Sequence, residues 1–167
     1  YLATVEAIET ATVSRPAVGD WAYVSPEQTG RMSRPVDLRT DFYSLGVMLY
    51  QMLTGQLPHQ GRDALELVHC HIARLPRPAA DLDPGIPPVL SAIVMKLLAK
   101  MPEERYQRAQ GLLHDLKQCL AQWEVGGVIE PFALGSQDWS ERLQVPQQLF
   151  GRARETRQVL ASFEAME

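Results

Sequence analysis

Cysteine is nearly absent from this chain: Cys70 and Cys119 are its two thiols in 167 residues. They lack the spacing of a disulfide framework, which fits a reducing, cytoplasmic setting better than a secreted one. No apolar run reaches the roughly 18 residues that a membrane-spanning helix requires, so no membrane segment is expected. Positive charge is also short, with 16 Lys and Arg against 20 Asp and Glu for a net charge of -4. With no block of like charge either, nothing favours nucleic acid or an anionic lipid surface as a partner. Neither main type of Gly-rich phosphate loop is present, so a nucleotide has no recognisable seat here. The chain opens on Tyr1 rather than Met, so no signal peptide is readable and a truncated start is expected.

What is present predicts a helical core. The composition, 46% apolar and 22% charged, is that of an ordinary globular protein. From Phe42 to Leu53 only Ser44, Gly46 and Gln51 interrupt the apolar residues, which predicts a central helix that is hydrophobic nearly all round and therefore buried. Asp41 is placed to cap or flank its start, and Gly55 to end it. Leu65, Val68 and Ile72, with Ala64 beside them, predict a short surface helix that stops before Pro76 and Pro78. The Pro-rich stretch from Leu75 to Pro88 reads as a loop. Leu90, Ile93, Val94, Leu97 and Leu98 form the next one-sided stripe. Ala109, Leu112, Leu113, Leu116, Leu120 and Trp123 form a last one of about four turns. No strand of comparable strength appears, so the fold class is mainly α. Residues 1–18 read as an irregular lead-in and 19–123 as the helical domain. Residues 124–145, punctuated by Gly126-Gly127, Pro131 and Gly135-Ser136, read as a linker, and 146–167 as the truncated start of a second domain.

Several groupings of reactive side chains carry little. His69-Cys70-His71 has metal-ligating chemistry, but neighbours on a helix point in different directions and zinc takes four convergent ligands, so no metal site is assigned. Asp81 and Asp83 read as solvated loop residues. Asp37 and Asp41 read as flanks of a helix start rather than as paired catalytic acids.

A set of separated motifs in fixed order carries more. Gly19-Asp20-Trp21-Ala22-Tyr23-Val24-Ser25-Pro26-Glu27 resembles the end of the activation segment of protein kinases, with Ser25 in place of the Ala in the usual Ala-Pro-Glu. Asp41, Ser44 and Gly46 resemble that family's Asp-x-Trp-Ser-x-Gly motif, Tyr43 standing for the Trp. Leu53-Thr54-Gly55-Gln56-Leu57-Pro58-His59 resembles the stretch that leaves the central helix, His59 replacing a Phe. Arg105, after the run from Lys96 to Pro102, resembles the Arg that pairs with the Glu of Ala-Pro-Glu. The resemblance covers residues 19 to about 121 and implies a kinase-like C-lobe helical half. It implies that Gly19, Asp20 and Tyr23 belong to a substrate-positioning loop, and that Glu27 and Arg105 pair to tie this loop to the core. Asp41 by the same resemblance begins the central helix and bonds the backbone of the catalytic loop, with Gly46 in the same structural set. The pairing has a physical counterpart, since removing one member of a buried ion pair costs on the order of 3–5 kcal/mol.

The family's Gly-rich loop, strand Lys, catalytic loop and metal-binding Asp-Phe-Gly are not found. No catalytic, cofactor-binding or metal-ligating residue is therefore assigned, and ATP and Mg belong to a full kinase domain. The expected partners are an upstream N-lobe with its catalytic loop and a protein substrate. Ala22 to Met32, Arg39 to Gly46, Asp63 to Ala73 and Ile129 to Gly135 resemble large bacterial signalling proteins. These join a Ser/Thr-type kinase domain to an AAA-like ATPase and often to a sensor histidine kinase. Val145 to Arg152 resembles the entry to that ATPase, with Ala153 where a Glu is usual, which makes the ATPase a further expected partner. Two readings follow. The chain is a fragment of a Ser/Thr kinase, itself unable to transfer phosphate, or it belongs to a pseudokinase-like scaffold that relays a signal to the ATPase or histidine kinase. Asp20, standing where the family places a Thr, favours the scaffold; the kinase is the preferred reading.

Overall fold

The computed structural model describes residues 20–139. Among them there are five α-helices and no strand: α1 (Leu38–Thr54), α2 (Ala64–Ala73), α3 (Ala79–Leu82), α4 (Pro88–Leu97) and α5 (Ala109–Gly126). Tight 3-10 turns occur at Asp20–Tyr23, Pro26–Thr29 and Pro102–Glu104. The fold is helical, as a kinase C-lobe helical half requires. The expectations for residues 1–18, Gly19 and 146–167 lie outside the described residues.

α1 is the central element. Its N-cap is Asp37, whose carboxylate accepts the Arg39 backbone N–H at 2.9 Å. Asp41 sits in the first turn, exposed, where its charge faces the positive end of the helix dipole. Gly55 ends the helix in the left-handed conformation, φ 73°, which a residue with a Cβ adopts at a cost.

Phe42, Tyr43, Gly46, Val47 and Tyr50 recur at helical spacing and form the buried face of α1. The expectation of a helix buried all round needs correction. Met48 and Met52 are 46% and 79% exposed, and with Leu38, Asp41 and Leu45 they share one face. Among the described residues nothing covers that face fully.

α4 packs along α1, and the glycine in the α1 motif sets how closely. A Cβ placed on Gly46 would lie 2.8 Å from the Leu97 Cβ, closer than carbon atoms tolerate. One hydrophobic cluster gathers Phe42 with Ile93, Leu97, Tyr106 and Leu112. A second gathers Tyr43, Val47 and Tyr50 with Ala79, Val94 and Leu98. α1 and α4 contribute to both, so their interface forms the middle of the core.

Two helices present other faces than the apolar stripes predict. On α2 the buried residues are Leu67, Val68, Cys70 and His71, whereas Leu65 is 60% exposed. The stripe overlooked the polar His71, which is buried because it has a hydrogen-bonding partner. On α5 the buried residues are Gly111, Leu112, Asp115 and Cys119, while Leu113, Leu120 and Trp123 are about half exposed. The stretch from Leu75 to Pro88 is not all loop, because one helical turn, α3, places Ala79 in the core.

Within the stretch read as a linker, Ile129, Phe132 and Leu134 pack against the first cluster. Asp138 returns to the start of α5, where its two carboxylate oxygens accept the Gln107 and Arg108 backbone N–H groups at 2.8 and 3.0 Å. It supplies the cap that Arg108, the local N-cap residue, cannot supply with its own side chain.

Candidate functional site

The loop before α1 is built from two 3-10 turns joined at Val24-Ser25. Ser25 holds the second turn, donating from its backbone N and its Oγ to Gln28 Oε1 at 3.0 and 3.2 Å. The first turn is fastened to α1 at two points. Ser44 Oγ donates to the Tyr23 carbonyl at 2.8 Å, and the Tyr23 hydroxyl donates to Gln51 Oε1 at 2.7 Å. Asp20 opens this turn, and Gly19 lies outside the described residues.

Glu27 and Arg105 meet beneath the loop, 78 residues apart in sequence. Arg105 Nη1 and Nη2 donate to Glu27 Oε1 and Oε2 at 2.7 and 2.8 Å, a two-pronged pair with both side chains removed from water. Nη1 also donates to the Arg39 carbonyl, Nη2 to the Lys100 carbonyl and Nε to the Ala99 carbonyl. These bonds use all five N–H groups of the guanidinium. Its carbon lies 4.9 Å from the centre of the Tyr43 ring, whose π face adds to the stabilisation of the cation.

Thr40 Oγ1 donates to Glu27 Oε1 at 2.9 Å. Burial pushes the Glu27 carboxyl up, but the hydrogen bonds from Arg105, the backbone and Thr40, with the Arg105 charge, outweigh it. The group is held below its ordinary 4.5 and is ionised at neutral pH. The pair thus clamps the loop, the first turn of α1 and the segment after α4 to one point.

A second polar cluster adjoins Tyr43. The Tyr43 hydroxyl and His71 Nδ1 share a hydrogen bond of 2.9 Å, and the His71 and His59 rings meet edge to face at 5.1 Å. Lys100 Nζ lies 3.2 Å from His59 Nε2 and donates to the Cys70 carbonyl at 3.3 Å. Burial, reinforced by the Lys100 charge, holds His59 down to about 3 and His71 to about 4. Burial and the Arg105 charge lower Lys100 to about 8. Burial also raises Tyr43. His69 is exposed while its neighbours Cys70 and His71 are buried, so the three side chains do not converge.

A third pairing fixes the end of the described chain. The Tyr106 hydroxyl donates to Asp115 Oδ2 at 2.6 Å, and the same oxygen accepts the Gly135 backbone N–H at 2.8 Å. Burial and the bond to Asp115 raise Tyr106.

The residues singled out in the sequence therefore divide. Glu27 and Arg105 are brought together. Tyr23 is joined to α1 through Ser44 and Gln51, and Gly46 lies at the α1–α4 contact. Asp41 stands apart, on the open face of α1. Sequence reasoning missed Thr40, His71, Lys100, Asp115 and Asp138 as parts of the site and its supports. Each is polar, buried or half-buried, and partnered with a residue far along the chain, so no local pattern marks it.

The described residues do not fit Mg. Among them no three His, Cys, Asp or Glu side chains converge to hold a metal. No step of phosphoryl transfer is therefore derived from them. Nor, among the described residues, is any helix long and apolar enough to cross a membrane.

Comparison with known proteins agrees with this geometry. The family model described as protein kinase domain matches residues 4–116. A serine/threonine-protein kinase of Mycobacterium leprae, PknB, is 40% identical over 64% of this chain, and a probable serine/threonine-protein kinase of Clostridium acetobutylicum is 37% identical over the same share. A hybrid signal transduction histidine kinase of Dictyostelium discoideum is 36% identical over 90% of this chain. The chain spans 17%, 16% and 5% of these relatives' own lengths. With the family model covering well over half of its residues, the chain belongs to the protein kinase domain family.

Proposed function

We propose that this chain is the C-terminal helical half of a serine/threonine kinase domain, which in the complete domain transfers the γ-phosphate of ATP to Ser or Thr of a protein substrate. The observation that carries this reading is the Glu27–Arg105 clamp beneath a loop that Ser44 and Gln51 fasten to α1. A substrate-positioning loop must hold a peptide in one geometry, and rate falls steeply when it does not. In this role Gly19, Asp20 and Tyr23 belong to the substrate-positioning loop. Asp41, on the uncovered face with Leu38, Leu45, Met48 and Met52, receives the catalytic loop from the N-terminal side. That loop and the N-lobe supply the groups that hold ATP and Mg.

The setting we infer is a cytoplasmic, multidomain signalling protein. The kinase domain is placed at residues up to about 123, 124–145 follow with Ile129, Phe132 and Leu134 packed back on its core, and 146–167 enter an AAA-like ATPase. The likeness of nearly the whole chain to a hybrid signal transduction histidine kinase supports a kinase domain joined to other signalling domains. Both thiols are buried and unpaired, which agrees with a reducing compartment. The relatives' names offer nothing for the scaffold reading.

The test is phosphate transfer from γ-labelled ATP to a Ser/Thr-rich acceptor protein. The chain alone is expected to transfer none, and the chain joined to its upstream coding sequence is expected to phosphorylate Ser or Thr. Transfer by residues 1–167 alone, or none by the folded longer protein, overturns the proposal.

A further inference from the structure

Beyond the Tyr23 loop, α1 borders a second concavity. Its C-terminal end, the Gln56–Gln60 loop and the segment after α2 enclose a groove of about 460 Å³, within the range of ligand-binding clefts. Tyr50 and Leu57 give it an apolar floor, and the Tyr50 hydroxyl donates to the Arg77 carbonyl at 2.9 Å, holding the far wall in place.

The charge of this groove is opposite to that of the chain. Arg74 and Arg77 line it, and no Asp or Glu does. Asp81 meets Arg77 through its backbone carbonyl, which accepts from Nη2 at 2.7 Å and fixes the direction of the guanidinium. His59, buried in the wall, accepts from the Lys100 ammonium at Nε2 when neutral, so its proton sits on Nδ1 and the imidazole acts as a donor. The Arg74 and Lys100 charges both help to keep this histidine neutral. Leu75, 73% exposed, gives the rim an apolar edge beside the two arginines.

From the two guanidiniums in a lining without Asp or Glu, the amide-bearing Gln56 and Gln60 and the apolar floor, we infer that this groove docks an acidic peptide segment of a partner protein. The segment presents paired carboxylates to Arg74 and Arg77 and an adjacent Leu or aromatic side chain to Tyr50 and Leu57. Planar guanidiniums bind carboxylates through two parallel hydrogen bonds, and a buried aromatic beside them supplies the anchor. α1 links this groove to the Tyr23 loop, because Tyr50 floors the groove and the next residue, Gln51, holds Tyr23. A peptide docked here is retained beside the part of α1 that holds the Tyr23 hydroxyl. The inference does not depend on phosphotransfer, since binding is read directly.

The test is fluorescence anisotropy with the full chain and a short labelled peptide carrying paired glutamates beside a leucine. Its glutamine counterpart and a single-stranded RNA serve as competitors. The glutamate peptide is expected to bind, to weaken as salt is raised, and to lose at least about tenfold in affinity in the Arg74→Glu/Arg77→Glu variant. Arg74→Lys/Arg77→Lys, with an unchanged circular dichroism spectrum, is expected to restore part of that loss. No binding by the wild-type chain, equal binding of the glutamine peptide, undiminished binding in the charge-reversed variant, or displacement by RNA as effective as by peptide overturns the inference.

Discussion

Arg105 answers one carboxylate and three backbone carbonyls at once, so several elements depend on this one side chain. Arg105→Ala leaves Glu27 ionised and buried with only Thr40 and a backbone hydrogen bond to hold it, and strands the carbonyls of Arg39, Ala99 and Lys100. A loss of about 3–5 kcal/mol in denaturant unfolding is expected, with protease cleavage appearing in the 20–30 loop. Lysine has one donor head and no fork, so Arg105→Lys is expected to recover only a minor part. An unchanged melting temperature and cleavage pattern in Arg105→Ala contradicts the clamp.

The two buried histidines predict an acid sensitivity of their own. Their native values, about 3 for His59 and about 4 for His71, lie below the ordinary 6.5, so the unfolded chain binds protons in a range where the native chain does not. The histidines' contribution to stability is therefore full above pH 6.5 and falls as pH drops toward 4, by about 1.4 kcal/mol per pH unit for each histidine. The depressed Glu27 carboxyl has the same sign but acts only below its ordinary 4.5. His59→Phe is expected to remove about one of the two slopes, read from unfolding curves between pH 7 and 5. A wild-type stability that is flat across that interval contradicts this account.

At the scale of elements, Gly46 links motif to packing. The sequence marks it as part of a pattern, and the structure supplies the reason: α1 and α4 approach so closely that a methyl group there meets Leu97. Alanine favours an isolated helix by about 1 kcal/mol over glycine, yet overpacking at such a contact costs about 1–3 kcal/mol. Gly46→Ala is expected to lower the melting temperature without changing helical content; a rise contradicts the close contact.

The long helices were legible because their signals are local, namely an apolar period, a glycine stop and proline boundaries. The one-turn α3 was not, since four residues in a Pro-rich stretch carry no period. The true faces of α2 and α5 were hidden for a related reason. His71 and Asp115 are buried by virtue of partners on other elements, and an apolar stripe does not register a satisfied polar residue.

Across the whole molecule, two apolar surfaces remain open among the described residues: the Met48–Met52 face of α1, and the Leu120–Trp123 side of α5, which forms a cleft with Leu90 and Ile129. The first carries Asp41 and is where the catalytic loop is placed in the proposed complete domain. The Glu27–Arg105 pairing was readable only through a resemblance of ordered motifs, because nothing local joins residues so far apart. The return of Asp138 to α5 had no such guide, and the punctuation by glycine and proline around it reads as connection rather than as packing.

The central claim is that this helical half positions substrate for a catalytic loop that it does not itself contain. The most direct measurement replaces the matching helical segment of a PknB-type kinase with residues 20–139 of this chain and follows phosphate incorporation into a Ser/Thr acceptor. The folded chimera is expected to transfer phosphate, and the same chimera carrying Arg105→Ala to lose most of that activity. A chimera that folds but transfers none, or one indifferent to Arg105→Ala, contradicts the account.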